Sequence, residues 1–192
     1  MTIASITADG SNPQGEEIGS NVSGTVAGTL TVTGSTFAND DVNFNALGIS
    51  LQDVEAGGSL TATTTGGPLT LTSADVGGDI ALTSARDVVA TGTLQSGLTT
   101  SVRGRNLDLQ SVIADTDVDL TATVGNIVTG GDVSGVNVTF SANGDITHDN
   151  DSLLSADNIL TLTAAAAIST SATPVRATIW SSMRSAQSPP TR

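Results

Sequence analysis

The residues of this 192-residue chain that could do acid–base chemistry are few. His148 is the only histidine, and it stands in "ITHDND" beside Asp149 and Asp151. A histidine next to a carboxylate can act as a general base when a nucleophile lies within hydrogen-bond reach. No nucleophile is marked here, because serine is abundant along the whole chain and its positions carry no information. Counting from Ile146, we expect His148 to point outward as a surface residue.

Carboxylates are concentrated in short acidic segments. "DTDVD" places Asp115, Asp117 and Asp119 at alternate positions, which predicts that they share one side of a strand. "ANDDVNF" and "HDNDS" are further acidic turns, and weak Ca²⁺ binding is physically reasonable for such groups. The "GGxGxDx" calcium loop and the EF-hand spacing are both absent, so we expect solvated turns. The sequence therefore predicts no catalytic residue, no metal ligand and no cofactor-binding residue.

Composition limits the classes of partner. The net charge is −13, and the sequence contains six arginines and no lysine. Such a surface repels nucleic acid and anionic membranes. No apolar run approaches the 18 or so residues of a membrane span, and "MTIASITADG" has no signal-peptide pattern. With no cysteine there is no disulfide framework and no thiolate chemistry. We expect no nucleic-acid partner and no membrane insertion.

The elements that would position these residues are short strands. Aromatic residues make up 2% of the chain, so the core must consist of Val, Ile, Leu and Ala. Threonine favours strands, and Gly, Asp and Asn favour tight turns. This composition predicts an all-β chain of many short strands.

Strand-like phrases recur with a period near 20 residues, and each period carries three apolar positions. The first set is Leu60, Ile80, Leu98, Val118 and Val138. The second set is Leu69, Val88, Leu107, Ile127 and Ile146. The third and weaker set is Val76, Leu94, Ile113, Val133 and either Leu153 or Leu154. Residues of one set are expected to stack over one another inside a coil.

Polar turn residues support the same period. The residue before each member of the second set is Pro68, Asp87, Asn106, Asn126 or Asp145. Asn and Asp tolerate left-handed backbone angles and bond to nearby amides. A strand that pairs with its equivalent one coil along gives parallel sheets with the coils about 4.8 Å apart. The sequence therefore predicts a right-handed parallel β-helix with about 20 residues per coil and roughly seven coils.

The repeat also predicts the domain boundaries. Residues 1–27 have no clear period and are expected to be an irregular cap or disordered, and residues 28–170 are expected to form the β-helix. A helix over "LTAAAAIS" is an alternative to the last strand, because alanine favours helices. Residues 171–192 contain no acidic residue and no glycine, so we expect either a disordered linker or a non-native tail such as a frameshift would produce.

Two other functions are open for such a coil. A polysaccharide lyase or hydrolase would use clustered carboxylates, but sugar subsites usually contain aromatic platforms, which this chain almost lacks. The Thr-x-Thr phrases could order water into ice if the threonines aligned on one face. The outward positions after the second set are Thr70, Val89, Asp108, Val128 and Thr147, and Asp108 interrupts that ladder.

The phrase Gly-Asp/Asn, apolar, any residue, apolar, Thr/Ser stands as "GGDIALTS", "GNIVTG" and "NGDITHD". It resembles the repeats of filamentous haemagglutinins and related large exported bacterial adhesins, over roughly residues 40 to 170. The resemblance implies a β-helical shaft that is secreted or attached to the bacterial outer membrane by two-partner secretion or as an autotransporter passenger. Its partners would be a host-cell or matrix glycan, a protein receptor, or neighbouring coils of a longer parent chain. "NPQG", residues 12–15, lacks the second Asn of the family's secretion motif. The resemblance supplies no catalytic residues, and we expect a protein that is not an enzyme.

Overall fold

A computed structural model describes residues 1–9 and 19–169 of the chain. Over these residues the chain is all-β, and every pairing between its strands is parallel. The strands are β1 (Thr2–Ile3), β2 (Ile6–Ala8), β3 (Val22–Val32), β4 (Thr36–Ala38), β5 (Val42–Ala56), β6 (Leu60–Thr64), β7 (Leu69–Val76), β8 (Ile80–Thr83), β9 (Val88–Ser96), β10 (Thr100–Gly104), β11 (Leu107–Ala114), β12 (Asp117–Ala122), β13 (Ile127–Thr129), β14 (Val133–Ala142), β15 (Ile146–His148), β16 (Leu154–Ala164) and β17 (Ile168–Ser169).

The strands stack as three faces of a parallel β-solenoid of about seven turns, which confirms the predicted fold class and period. The first face has an inward column of Val22, Val42, Leu60, Ile80, Thr100, Val118, Val138 and Leu160. The second face has Leu30, Ile49, Leu69, Val88, Leu107, Ile127, Ile146 and Ile168. The third face has Ile6, Thr36, Val54, Ala74, Leu94, Val112, Val133 and Leu154.

The core is a set of aliphatic columns with compensating sizes. Phe44 and Phe140 occupy the next inward column of the first face, and both are buried. Phe44 lies between Gly24 and Ala62, so the large ring fits because its neighbours in the column are small. Interiors packed to this density leave little room for a change of side-chain volume.

The second column is confirmed in full, but two other predictions need correction. Leu98 lies at a corner and is 47% exposed, and Thr100 takes its predicted place between Ile80 and Val118. The column accepts Thr100 because its hydroxyl lies 2.9 Å from the Ser96 hydroxyl, so both buried polar groups are satisfied.

The third predicted set was wrong at two positions. Val76 pairs with Ser96 rather than with Leu94, whose partner in the column is Ala74. At the next coil, Val112 is buried in the column that Ile113 was expected to occupy. At the last coil, the alternative Leu154 is confirmed, because it is buried and pairs with Val133, whereas Leu153 is exposed. The register shifts where the second face bends into the third, between Leu71 and Ala74 in one pairing and between Leu109 and Ser111 in the next, so counting along the sequence does not give the partner across coils.

The ends differ from the expected boundaries on the amino-terminal side. The boundary expected at residue 28 falls inside β3, and β1 and β2 already pair with β3 and β4. Strand β16 continues to Ala164 and β17 covers Ile168–Ser169, so strands are confirmed over the helical alternative for "LTAAAAIS". The predicted tail, residues 171–192, and "NPQG" lie outside the described residues.

The corners are joined by side chains that bond to the next coil. Asn106 Oδ1 accepts a hydrogen bond from the amide of Asn126 at 3.0 Å, and Asn126 Oδ1 accepts one from the amide of Asp145 at 2.8 Å. The turn residues noted in the sequence therefore link neighbouring coils. At another corner Gly77 lies so close to the carbonyl oxygen of Gly57 that a Cβ would not fit.

Candidate functional surfaces

His148 is buried, and the expectation of a surface histidine was wrong. Positions two apart in a strand share a side, so His148 lies on the same inward side as Ile146, and it is only 2% exposed. Its Nδ1 lies 2.8 Å from Thr129 Oγ1, and its Nε2 lies 3.2 Å from the carbonyl oxygen of Ser152. A carbonyl only accepts, so Nε2 donates to Ser152, and the Thr129 hydroxyl is placed to donate to Nδ1 when that nitrogen carries no proton.

This geometry makes His148 a structural residue. Both ring nitrogens have partners inside the protein, and neither partner is Asp149 or Asp151, which are exposed. Asp149 instead accepts a hydrogen bond from the amide of Asp151 at 3.2 Å. The histidine closes the longer turn before β16, and it does not form a catalytic pair with either carboxylate.

The three carboxylates of "DTDVD" do not lie together on one side of a strand. Asp117 and Asp119 point outward from β12, whereas Asp115 lies at the preceding corner. Asp117 Oδ1 accepts a hydrogen bond of 2.8 Å from Asn137 one coil along, and Asp119 Oδ1 accepts one of 3.3 Å from Thr121. Within residues 1–9 and 19–169 no three His, Cys, Asp or Glu side chains are grouped so as to hold a metal ion.

An acidic groove of about 620 Å³ runs along the outer side of the third face. The carboxylates that line it are Asp53, Glu55 and Asp75, and its aromatic residue is the half-buried Phe37. The Ser73 hydroxyl donates to Asp53 Oδ1 at 2.6 Å, which binds that carboxylate to its neighbouring coil. No arginine lines this groove, although its residues are all within the described part of the chain.

The outer side of the first face has a different chemistry. Its two central columns carry outward side chains from eight successive strands of the face, and we call them together the hydroxyl face. One column is Ser23, Asn43, Thr61, Ala81, Ser101, Asp119, Thr139 and Thr161, and the other is Thr25, Asn45, Thr63, Thr83, Arg103, Thr121, Ser141 and Thr163. The threonine ladder considered from the sequence lies on the second face, so this face was not among the predicted sites. The alignment of these hydroxyl-bearing residues can be recognised only when the register between coils is known.

Comparison of the chain with protein-family models, with curated proteins and with solved structures finds no match. In the residues that the structure describes, no helix has the length and apolar character needed to cross a membrane.

Proposed function

We propose that the chain is a structural and adhesive segment of a large bacterial protein that is secreted or held at the cell surface. In this proposal it forms part of the β-helical shaft of a filamentous haemagglutinin-like adhesin. The observation that carries the proposal is the uniform coil, because the first-face column repeats every 18 to 22 residues from Val22 to Leu160. A solenoid in which each coil contacts only its neighbours is suited to spanning a distance.

The connections between strands support a shaft over an enzyme. An enzyme on this scaffold would need carboxylates and a cation converging in a cleft, and it would usually carry long loops at one corner. Between residues 19 and 169 the longest connection between strands is the turn from His148 to Leu154. The acidic groove contains carboxylates and no cation, so it has only part of that machinery.

The adhesive part of the proposal is tested by binding. The purified chain would be applied to a glycan array and to immobilised matrix proteins, alongside Leu60→Asp, which places a charge in the buried first-face column. Saturable binding that Leu60→Asp abolishes supports adhesion. Absence of binding to every glycan and matrix protein would overturn the adhesive part.

The acidic groove has the carboxylates that a polysaccharide hydrolase or lyase would use. This alternative function is therefore tested separately. The chain would be incubated with acidic and neutral polysaccharides, and the products would be separated by size and read for unsaturated ends. Cleavage that is lost in Asp53→Asn or Asp75→Asn would replace the shaft proposal with a hydrolase or lyase. Intact polymer in every case is the result that the shaft proposal predicts.

A further inference from the structure

The hydroxyl face is nearly neutral on a strongly acidic protein. Of the 19 acidic residues in the chain, only Asp119 belongs to its two columns, and Arg103 is the only basic residue there. Every other position is Thr, Ser or Asn, except for Ala81. An ionic partner would therefore find little charge to recognise, and none of these side chains provides an aromatic platform for a sugar ring.

All but one of the threonine hydroxyls of this face are available to bind outside the protein. Within the described residues, the only one of the eight that donates to another side chain is that of Thr121, which bonds to Asp119. Hydroxyls at the corners behave differently, since Thr64 donates to the carbonyl of Gly67 at 2.7 Å and Thr123 donates to that of Gly104 at 2.9 Å. The corner hydroxyls hold the coil together, whereas the hydroxyls of the face do not.

The positions of these hydroxyls form a two-dimensional lattice. Along each column, in-register parallel pairing places successive residues about 4.8 Å apart. Across the two columns, residues two apart on one strand are about 6.6 Å apart. Thr61 and Thr63 form one such row, and Thr161 and Thr163 form another. Each threonine offers a hydroxyl and a methyl group, and β-branching restricts the rotation of both.

We propose that the hydroxyl face binds the surface of ice. A single hydroxyl gains nothing by exchanging liquid water for ice, since it makes equivalent hydrogen bonds to both. A preference for the crystal requires many hydroxyls held rigidly at spacings of the order of its oxygen repeats, and the paired strands hold them so. This activity goes beyond a role as a shaft, and it does not depend on that role.

Arg103 and Asp119 divide the face into two neutral parts. They are diagonal neighbours on successive coils, because Arg103 pairs with Thr121 and Asp119 pairs with Ser101. A charged group holds its own hydration shell and disturbs the layer of water above it. Replacing both by threonine makes the rows continuous, so Arg103→Thr combined with Asp119→Thr should strengthen binding to ice.

The experiment measures thermal hysteresis and inhibition of ice recrystallisation by the whole chain, with serum albumin as the reference protein. Thr63→Lys and Thr163→Lys should reduce both activities several-fold. The matched control is Thr147→Lys, since Thr147 is exposed on the second face and receives the same substitution. Circular dichroism confirms that each variant is folded before its activity is compared.

Three outcomes would overturn the proposal. The first is a wild-type chain that matches serum albumin in both assays. The second is an equal loss of activity in the folded Thr63→Lys and Thr147→Lys variants. The third is sedimentation of the chain with microcrystalline cellulose in place of adsorption to ice, which would assign the face to a polysaccharide. Failure here leaves the matrix-binding test of the shaft proposal unaffected, because that test uses no ice.

Discussion

Leu120 and Leu98 allow a direct test of which side chains the coil encloses. Leu120 lies in an inward column between Val102 and Phe140 and is fully buried, whereas Leu98 is 47% exposed at a corner. The perturbation is the same for both residues, a change from leucine to alanine. A stacked solenoid predicts very different losses of stability from these two identical changes.

The magnitude follows from burial. Leu120→Ala removes the equivalent of three methylene groups, which corresponds to about 2.4 kcal/mol of lost transfer free energy at about 0.8 kcal/mol each. The cavity between two neighbouring coils adds to this, so we expect a total of about 3 to 4 kcal/mol. Leu98→Ala opens no enclosed cavity and removes a side chain already half in water, so we expect about 1 kcal/mol or less.

The assay is urea denaturation followed by far-ultraviolet circular dichroism. With a slope of about 2 kcal/mol per molar urea, Leu120→Ala should lower the midpoint by about 1.5 to 2 M, and Leu98→Ala by no more than about 0.5 M. A larger loss from Leu98→Ala than from Leu120→Ala would refute the reasoning, because it would put Leu98 inside the coil.

Three further predictions concern the corners and the buried histidine. Gly77→Ala should lower the thermal midpoint by several degrees, because the new Cβ would meet a carbonyl of the neighbouring coil. Gly28→Ala is the control, since a Cβ there has open space, and it should leave the midpoint unchanged within about 1 °C. Equal midpoints for the two variants would contradict the close stacking of coils. Asn126→Ala should cost about 1 kcal/mol and speed amide hydrogen exchange at Asp145, whose amide loses its acceptor, and unchanged exchange measured by NMR would contradict the ladder. His148→Ala should cost about 2 to 3 kcal/mol in urea denaturation, because it leaves a buried void and an unpaired hydroxyl, and a loss below about 0.5 kcal/mol would place the ring at the surface.

The second inward column was predictable from the sequence for a physical reason. Each of its five predicted members, from Leu69 to Ile146, begins a strand directly after a turn, so a turn residue marks its position, as Asn106 marks Leu107 and Asn126 marks Ile127. The turn residue and the apolar–polar alternation then indicate the same inward position. A structure can be predicted from its sequence where such local signals agree.

The errors arose where those signals conflict. At one coil both Leu98 and Thr100 could occupy the inward position, and hydrophobicity favours Leu98. Thr100 is the buried residue, because its hydroxyl is hydrogen-bonded to that of Ser96. At the bend between the second and third faces the register shifts, so the period predicts Ile113 at the position where Val112 is buried. Single-residue errors of this kind are expected when strands are short and the register is set by pairing across coils.

The candidate surfaces were less predictable than the fold. The hydroxyl face depends on which residues of eight separate strands lie side by side, and no local pattern around Thr63 or Thr163 contains that information. The acidic groove similarly joins Asp53 and Asp75, which are 22 residues apart in the sequence. Both surfaces follow from register, which becomes known only after the strands are paired.

The stacking of successive coils is tested most directly by distances between spin labels. The chain contains no cysteine, so pairs of introduced cysteines carry the labels uniquely. Thr61 and Ser101 lie two coils apart in one outward column, and Thr61 and Thr139 lie four coils apart in the same column. Electron paramagnetic resonance should give backbone separations of about 10 Å and about 19 Å for the two pairs. A separation that does not double from the first pair to the second, or a broad distribution beyond about 30 Å for Thr61 and Thr139, would contradict the solenoid.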